Sequence, residues 1–233
     1  MAYSKEQKED IVKKTEQYAN ATMDYGPGHD WEHTKRVRRL ALLIANNEAK
    51  AGRFSSIDLF VVELAALLHD VDDWKFMTDG KNKTNLYLDS IQLEKAYAEH
   101  ICEICQTLSF KGAEAEKPMS TPEGKCVRDA DRLDGIGAIG IARTFDYGGL
   151  KQRPFYSPDS KPSLDAKSFV QLSLKGGDTS IQHFYDKLLR VKGFMETETG
   201  KKIAAPRHEA MLKFLEQFMS EWEGRDFLEL NAP

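Results

Sequence analysis

The chain has 233 residues, 41% hydrophobic and 30% charged, with a formal net charge of −4. That length suits one domain or two small ones with a real core. The acidic balance gives no support for bulk nucleic-acid or membrane affinity, and three cysteines argue against a disulfide framework. The longest apolar stretch, LFVVELAALL, is broken by Glu63 and too short to span a bilayer. The charged opening MAYSKEQKED lacks the apolar region of a secretory signal. A cytoplasmic protein with neither nucleic-acid nor membrane partner is expected.

Nearly every periodic segment has helical spacing, and none alternates as a strand does. Ser4-x-x-Gln7 is a capping box opening a first helix to about Met23. A second helix starts near Asp30 and runs to about Lys50. A third begins near Ser55, with Asp58 in its first turn, and ends in LLHDVDD. A fourth spans about Asn85 to Leu108 and holds Cys102 and Cys105, read as packed thiols. A fifth covers about Lys125 to Phe145. Helices from about Ser180 to Phe194 and Thr197 to Trp222 follow, with Pro206 expected to kink or split the last. The fold class is all-α, as a single domain over residues 1–233, with the C-terminal helices 180–223 packed on the same domain. Residues 147–179 resist the helical reading: Gly pairs stand near both ends, with three prolines between. Loops this long are uncommon in compact domains. With Lys151, Arg153, Lys161, Lys167 and Lys175, this one suits a lid over an anionic ligand, or it is a plain surface excursion.

Residues 28–33 read GHDWEH, and His29-x-x-Glu32-His33 matches a short metalloprotease string. That chemistry needs both histidines on one helical face. His33 lies four before Val37, on the apolar stripe with Leu40, Ala41 and Ile44. His29 precedes Asp30, the expected N-cap, and so stands outside the helix. The protease reading is disfavoured. His69 and Asp70 end an apolar run, where a buried carboxylate needs a partner or a metal; a hydrogen-bonded core pair is the plain alternative. Asp131 and Asp134 share a helical face. Gly135, Gly137 and Gly140 after them suggest close approach of a backbone or ligand, or simply tight packing. Taken together, His33, His69, Asp70 and Asp131 form a two-nitrogen, two-oxygen ligand set for a divalent transition metal.

The order His33…His69-Asp70…Asp131 resembles the HD superfamily of metal-dependent phosphohydrolases. GHDWEHTKRV, ALLHDVDDWK, DADRLDGIGAIGIARTFDYGG, HFYDKLL and GFMETETGKKIAAPRHEAMLKFLEQF are similar to a bacterial branch of small HD-domain hydrolases. The resemblance implies a helical bundle around a central metal held by those four residues. His29 and Glu32 would support the ligands or face the substrate. Two-metal members carry extra histidines between the doublet and the last aspartate. Here only His100 stands there, mid-helix, so one protein-held ion per chain is expected. Manganese is favoured by the resemblance, with Fe, Co, Ni, Zn or Mg as other candidates, and a further Mg²⁺ can arrive with the substrate.

The branch implies hydrolysis of nucleoside triphosphates to monophosphate and pyrophosphate, through attack of metal-bound hydroxide on the α-phosphorus. Arg36, i+3 from His33, is the first candidate for substrate charge, followed by Lys75, Arg132, Arg143 and Lys187. Asp73, i+3 from Asp70, can take the water's proton, with Asp72 and Glu32 as competitors. A 5′-monophosphatase or phosphodiesterase would use the same ligands. A nucleotide-binding module without turnover is the alternative from another class. The sequence carries no signal for an oligomeric state.

Overall fold

Ser4 and Gln7 bond reciprocally: the Ser4 N–H donates to Gln7 Oε1 at 2.8 Å and the Gln7 N–H to Ser4 Oγ at 3.2 Å. This satisfies two of the orphan donors at the start of α1, Lys5–Thr22. The computed structural model describes residues 3–22, 30–72, 82–108, 118–159 and 179–229. Among them every regular element is helical, and no helix is long and apolar enough to cross a membrane. The chain falls into two compact units, Met1–Asp134 with Glu196–Gly200, and Gly135–Met195 with Lys201–Pro233.

The first unit holds α1 and five further helices. In α2, Trp31–Lys50, Asp30 is the N-cap and accepts the His33 N–H at 2.7 Å. The next helix, α3, spans Leu59–Leu68. It starts later than expected because Asp58 is its cap rather than a first-turn residue, accepting the Phe60 N–H at 2.9 Å. All of α3 except Leu59 and Glu63 is buried, and the helix packs on α1 and α2. Two helices replace the one expected from Asn85: α4, Lys83–Ser90, and α5, Lys95–Leu108. Gln92 adopts φ +52° between them. The Leu93 N–H reaches Leu88 O and the Gln92 N–H reaches Asp89 O. This pattern closes a helix end through a left-handed residue. Pro122 opens α6, Pro122–Asp134, which packs on α2, α3 and α5.

The expected helix across Asp131 to Phe145 is also broken, ending at Asp134 and restarting as α7, Gly137–Leu150. Ile136 is extended and Gly137 takes φ +75°, where a side chain would be strained. The glycines are thus a chain break. In the second unit, residues 147–150 form the last turn of α7 rather than the start of a loop. The Ser180 and Ile181 N–H groups bond back to Pro154 and Phe155 carbonyls. Residues 160–178, with Lys161, Lys167 and Lys175, lie outside the described residues, and with them most of the expected lid.

The segment from Ser180 changes pitch, from an α turn, Ser180–His183, to a π turn, Phe184–Leu188, then Leu189–Val191 and a 3₁₀ turn, Lys192–Phe194. Phe184 is fully buried against Phe145 and Phe214. The long terminal helix, Glu198–Trp222, runs through Pro206 without splitting. Burial of Ala204, Met211 and Leu215 along it offsets the hydrogen bond that proline forgoes. A last short helix covers Arg225–Glu229.

Candidate metal centre

Helices α2, α3 and α6 each deliver part of one cluster inside the first unit. His33 sits in the first turn of α2, on the stripe that continues through Val37, Ala41 and Ile44, and is completely buried. His69 caps the C-terminal end of α3, and Asp70 follows it into the turn, both buried. Asp131 comes from the last turn of α6 and is the most open of the four, with 31% of its side chain exposed.

Their contact atoms converge. His33 Nε2 lies 3.2 Å from His69 Nε2, 3.3 Å from Asp70 Oδ2 and 3.4 Å from Asp131 Oδ1. His69 Nε2 lies 3.5 Å from Asp70 Oδ2 and 3.8 Å from Asp131 Oδ1. Donor atoms bound to one ion at about 2.1 Å stand about 3.0–3.5 Å from their neighbours, so the spacing fits a shared cation. The ligand atoms of His33, His69 and Asp131 all lie within 4.8 Å of one another.

The other ring nitrogens decide which atoms face inward. His33 Nδ1 lies 2.7 Å from Asp134 Oδ2, and His69 Nδ1 lies 2.9 Å from the Ala66 carbonyl. Both partners only accept, so each neutral imidazole carries its proton on Nδ1 and turns the bare Nε2 inward. Two nitrogen lone pairs and two carboxylate oxygens then share one small space, and none of the four atoms bears a hydrogen. A cation resolves that arrangement.

Asp134 had no assigned role in the sequence, although its i+3 spacing from Asp131 placed it on the same face. It is buried, and besides His33 it accepts Arg36 Nε at 2.7 Å on Oδ1 and Nη2 at 3.0 Å on Oδ2. Hydrogen bonding to Asp134 raises the Arg36 guanidinium above its ordinary value. Arg36 thus holds the carboxylate behind His33 in a fork, an arrangement that orients metal-binding histidines.

Other candidates take different places. Both Asp72 oxygens accept from the start of α4, the Lys83 N–H at 2.7 Å and the Thr84 N–H at 2.9 Å. Asp72 thus supports the start of α4 beside its N-cap, Asn82. Glu32 is mostly exposed and pairs with Lys35 one turn on. Arg132, on α6, is half-buried, and burial pushes its guanidinium down to about 10 against the pull of Glu196. Arg143 and Lys187 are half-buried in the second unit. His29, Asp73 and Lys75 lie outside the described residues. His100, as expected, turns elsewhere, with Nε2 3.0 Å from Thr121 Oγ1. All three cysteines are buried thiols.

Residues 30–136 match the HD domain family model. The chain is 36% identical over 208 residues to YpgQ of Bacillus subtilis, covering 87% of this chain and 89% of that protein. The chain belongs to the HD superfamily. The matched HD region contains all four converging residues and also Arg36 and Asp134. An HD-superfamily hydrolase from Bacillus thuringiensis has a similar solved structure, 36% identical with a TM-score of 0.70, over 93% of this chain and 98% of that one. A Lactobacillus plantarum protein superposes with a TM-score of 0.79 at 31% identity, over 93% and 98%. YpgQ has been solved in complex with ADP, and that structure matches with a TM-score of 0.69 at 31% identity, over 90% and 97%. HD domains bind divalent metals, and this HD-domain chain is a metal-dependent phosphohydrolase.

Proposed function

We propose that the chain hydrolyses nucleoside or deoxynucleoside triphosphates to the monophosphate and pyrophosphate, using one divalent ion held by His33, His69, Asp70 and Asp131. The observation that carries this reading is the inward convergence of four hydrogen-free acceptor atoms, 3.2–3.8 Å between the measured pairs. Two neutral histidines and two carboxylates neutralise a divalent charge, and nitrogen with oxygen donors suits manganese, our preferred ion. A bound ion supplies Lewis acidity to a phosphoryl oxygen and acidifies a water. The ADP complex of YpgQ supports a nucleotide as the substrate class.

The residues divide the remaining work. Asp134 and the Ala66 carbonyl keep both histidines in the ligating tautomer. Asp131 faces the accessible side, where a phosphate can approach. Asp73 takes the proton of the attacking water, whose oxygen bonds to the α-phosphorus as the bridge to the β-phosphorus breaks. Pyrophosphate leaves with the Mg²⁺ it brought. His29, Lys75, Arg132, Arg143 and Lys187 are our candidates for meeting the phosphate charge.

The test is a nucleotide panel with Mn²⁺, products identified by phosphorus NMR, wild type beside Asp70→Ala. Monophosphate with pyrophosphate, lost in the variant, is expected. Orthophosphate released from monophosphates would establish a nucleotidase instead. Bound Mn²⁺ with no turnover of any nucleotide would refute the substrate class.

A further inference from the structure

The segment Glu196–Gly200 belongs to the first unit, although the chain on either side of it belongs to the second. It is held by buried carboxylates from the two helices that carry His33 and Asp131. Asp129, on α6, accepts the Glu196 N–H at 2.9 Å, the Thr197 N–H at 2.8 Å and the Thr197 hydroxyl at 2.7 Å. Glu48, near the end of α2, accepts the Thr199 N–H at 2.8 Å and the Thr199 hydroxyl at 2.5 Å. Glu196 binds back to the α6 side, taking Arg128 Nη1 at 3.0 Å and the Met119 N–H at 2.9 Å. Thr197 Oγ1 also accepts the Gly200 N–H at 2.9 Å, closing the first turn of the terminal helix. A side chain at Gly200 would collide with Asp129 Oδ2, so this backbone must come close.

The layout makes the segment a clasp across α2 and α6. The start of α2 meets the end of α6 where His33 bonds Asp134, and Glu48 lies at the other end of α2. Asp129 precedes Asp131 by two residues, about 200° around the helix, so the two point to opposite sides of α6. Pull on Asp129 sets the rotation of α6, and rotation is the motion that swings Asp131 and Asp134 relative to His33. Asp129 and Glu48 are at most 1% exposed. Buried carboxylates need donors; Glu48 also accepts Arg53 Nη1 at 2.9 Å.

We infer that Thr197, with Asp129 and Glu48, positions the metal centre by fixing the rotation and register of α6 against α2. The inference rests on the proposed metal site. Thr197→Val removes the hydroxyl donor and keeps the shape. Thr197→Ser keeps the donor, and Thr199→Val removes the hydroxyl donor to Glu48 instead. The control is Tyr87→Phe, which deletes a buried hydroxyl bond to Thr15 between α4 and α1. Neither of those helices carries a candidate ligand. Mn²⁺ affinity is read by EPR titration, and the stability of metal-free protein by thermal unfolding.

Thr197→Val should weaken Mn²⁺ binding about tenfold, the lower range for residues that support ligands. Thr199→Val should weaken it in the same direction. Thr197→Ser and Tyr87→Phe should stay within about twofold of wild type even where unfolding temperatures fall. Affinity in both valine variants matching Tyr87→Phe overturns the clasp and leaves the metal site standing. So does a serine variant as weak as valine. No Mn²⁺ binding by wild type overturns the metal site and the clasp with it.

Discussion

Replacing Asp134 with asparagine probes the centre without touching a ligand. The carboxylate is 3% exposed and accepts three charge-assisted or ring N–H donors: His33 Nδ1 at 2.7 Å, Arg36 Nε at 2.7 Å and Arg36 Nη2 at 3.0 Å. An asparagine has one acceptor atom and two hydrogens to offer. With its oxygen toward His33, its amide faces Arg36 Nε, donor against donor. With its amide toward His33, the imidazole bond survives only if the ring proton moves to Nε2, the atom that must ligate. Either orientation loses a bond to a charged partner, and the second removes a ligand outright. Loss of such support typically costs 10–100-fold in metal affinity, or about 1.4–2.7 kcal/mol. Calorimetric titration of metal-free Asp134→Asn with Mn²⁺ should show a dissociation constant raised by that factor. A folded variant within about threefold of wild type, below about 0.7 kcal/mol, would refute the role given to the His33–Asp134–Arg36 array.

Metal should stabilise the fold that builds its site. At free Mn²⁺ one hundred times the dissociation constant, the gain is about 2.7 kcal/mol. For a chain of this size that raises the melting temperature by about 5–10 °C. Chelation should reverse the shift, and His33→Ala should abolish it. Asp72→Ala should lower stability by roughly 1 kcal/mol by removing the acceptor of the Lys83 and Thr84 N–H groups at the start of α4, while leaving kcat near wild type. Asp73→Asn should lower kcat by about 10²-fold or more with little effect on melting, as loss of a general base does. Stopped turnover in Asp72→Ala with normal melting would exchange the two roles. The thiols should be inert in the folded protein. Burial pushes Cys126 up to about 12 and Cys105 up further, and it raises Cys102 also. At pH 8 the Cys126 thiolate is then about one part in ten thousand. A chromogenic disulfide reagent should label none of the three until denaturant is added, and rapid labelling of Cys126 would contradict its burial.

What could be read from the sequence follows from the range of the interactions involved. The stripe Val37, Ala41 and Ile44 sufficed to turn His33 inward, and the apolar run of α3 did the same for His69. Local signals also placed the caps at Ser4 and Asp30. Asp134 was visible as a neighbour of Asp131, but its partners stand 98 and 101 positions away along the chain. The fork of Arg36 to Asp134 was therefore not legible. The break after Ser90 was hidden because its left-handed residue is Gln92, not glycine. The break after Asp134 was marked by glycines whose pattern fits tight packing equally well. The amides that Asp72 accepts lie 11 and 12 residues on, outside any local pattern.

The boundary of the matched HD family model is not a boundary of folding. The matched region stops at residue 136, yet Glu48 and Asp129 inside it draw donors from Thr197 and Thr199. A fragment cut after Asp134 would retain the candidate ligands and Asp134 itself. It would also leave two interior carboxylates without their amide and hydroxyl donors, each loss costing about 1–3 kcal/mol or more. Against a typical total stability of about 5–15 kcal/mol, such a fragment would have little margin. A fragment designed to hold the metal cluster should therefore include Glu196–Gly200, and deletions that spare every residue of the cluster should still weaken it.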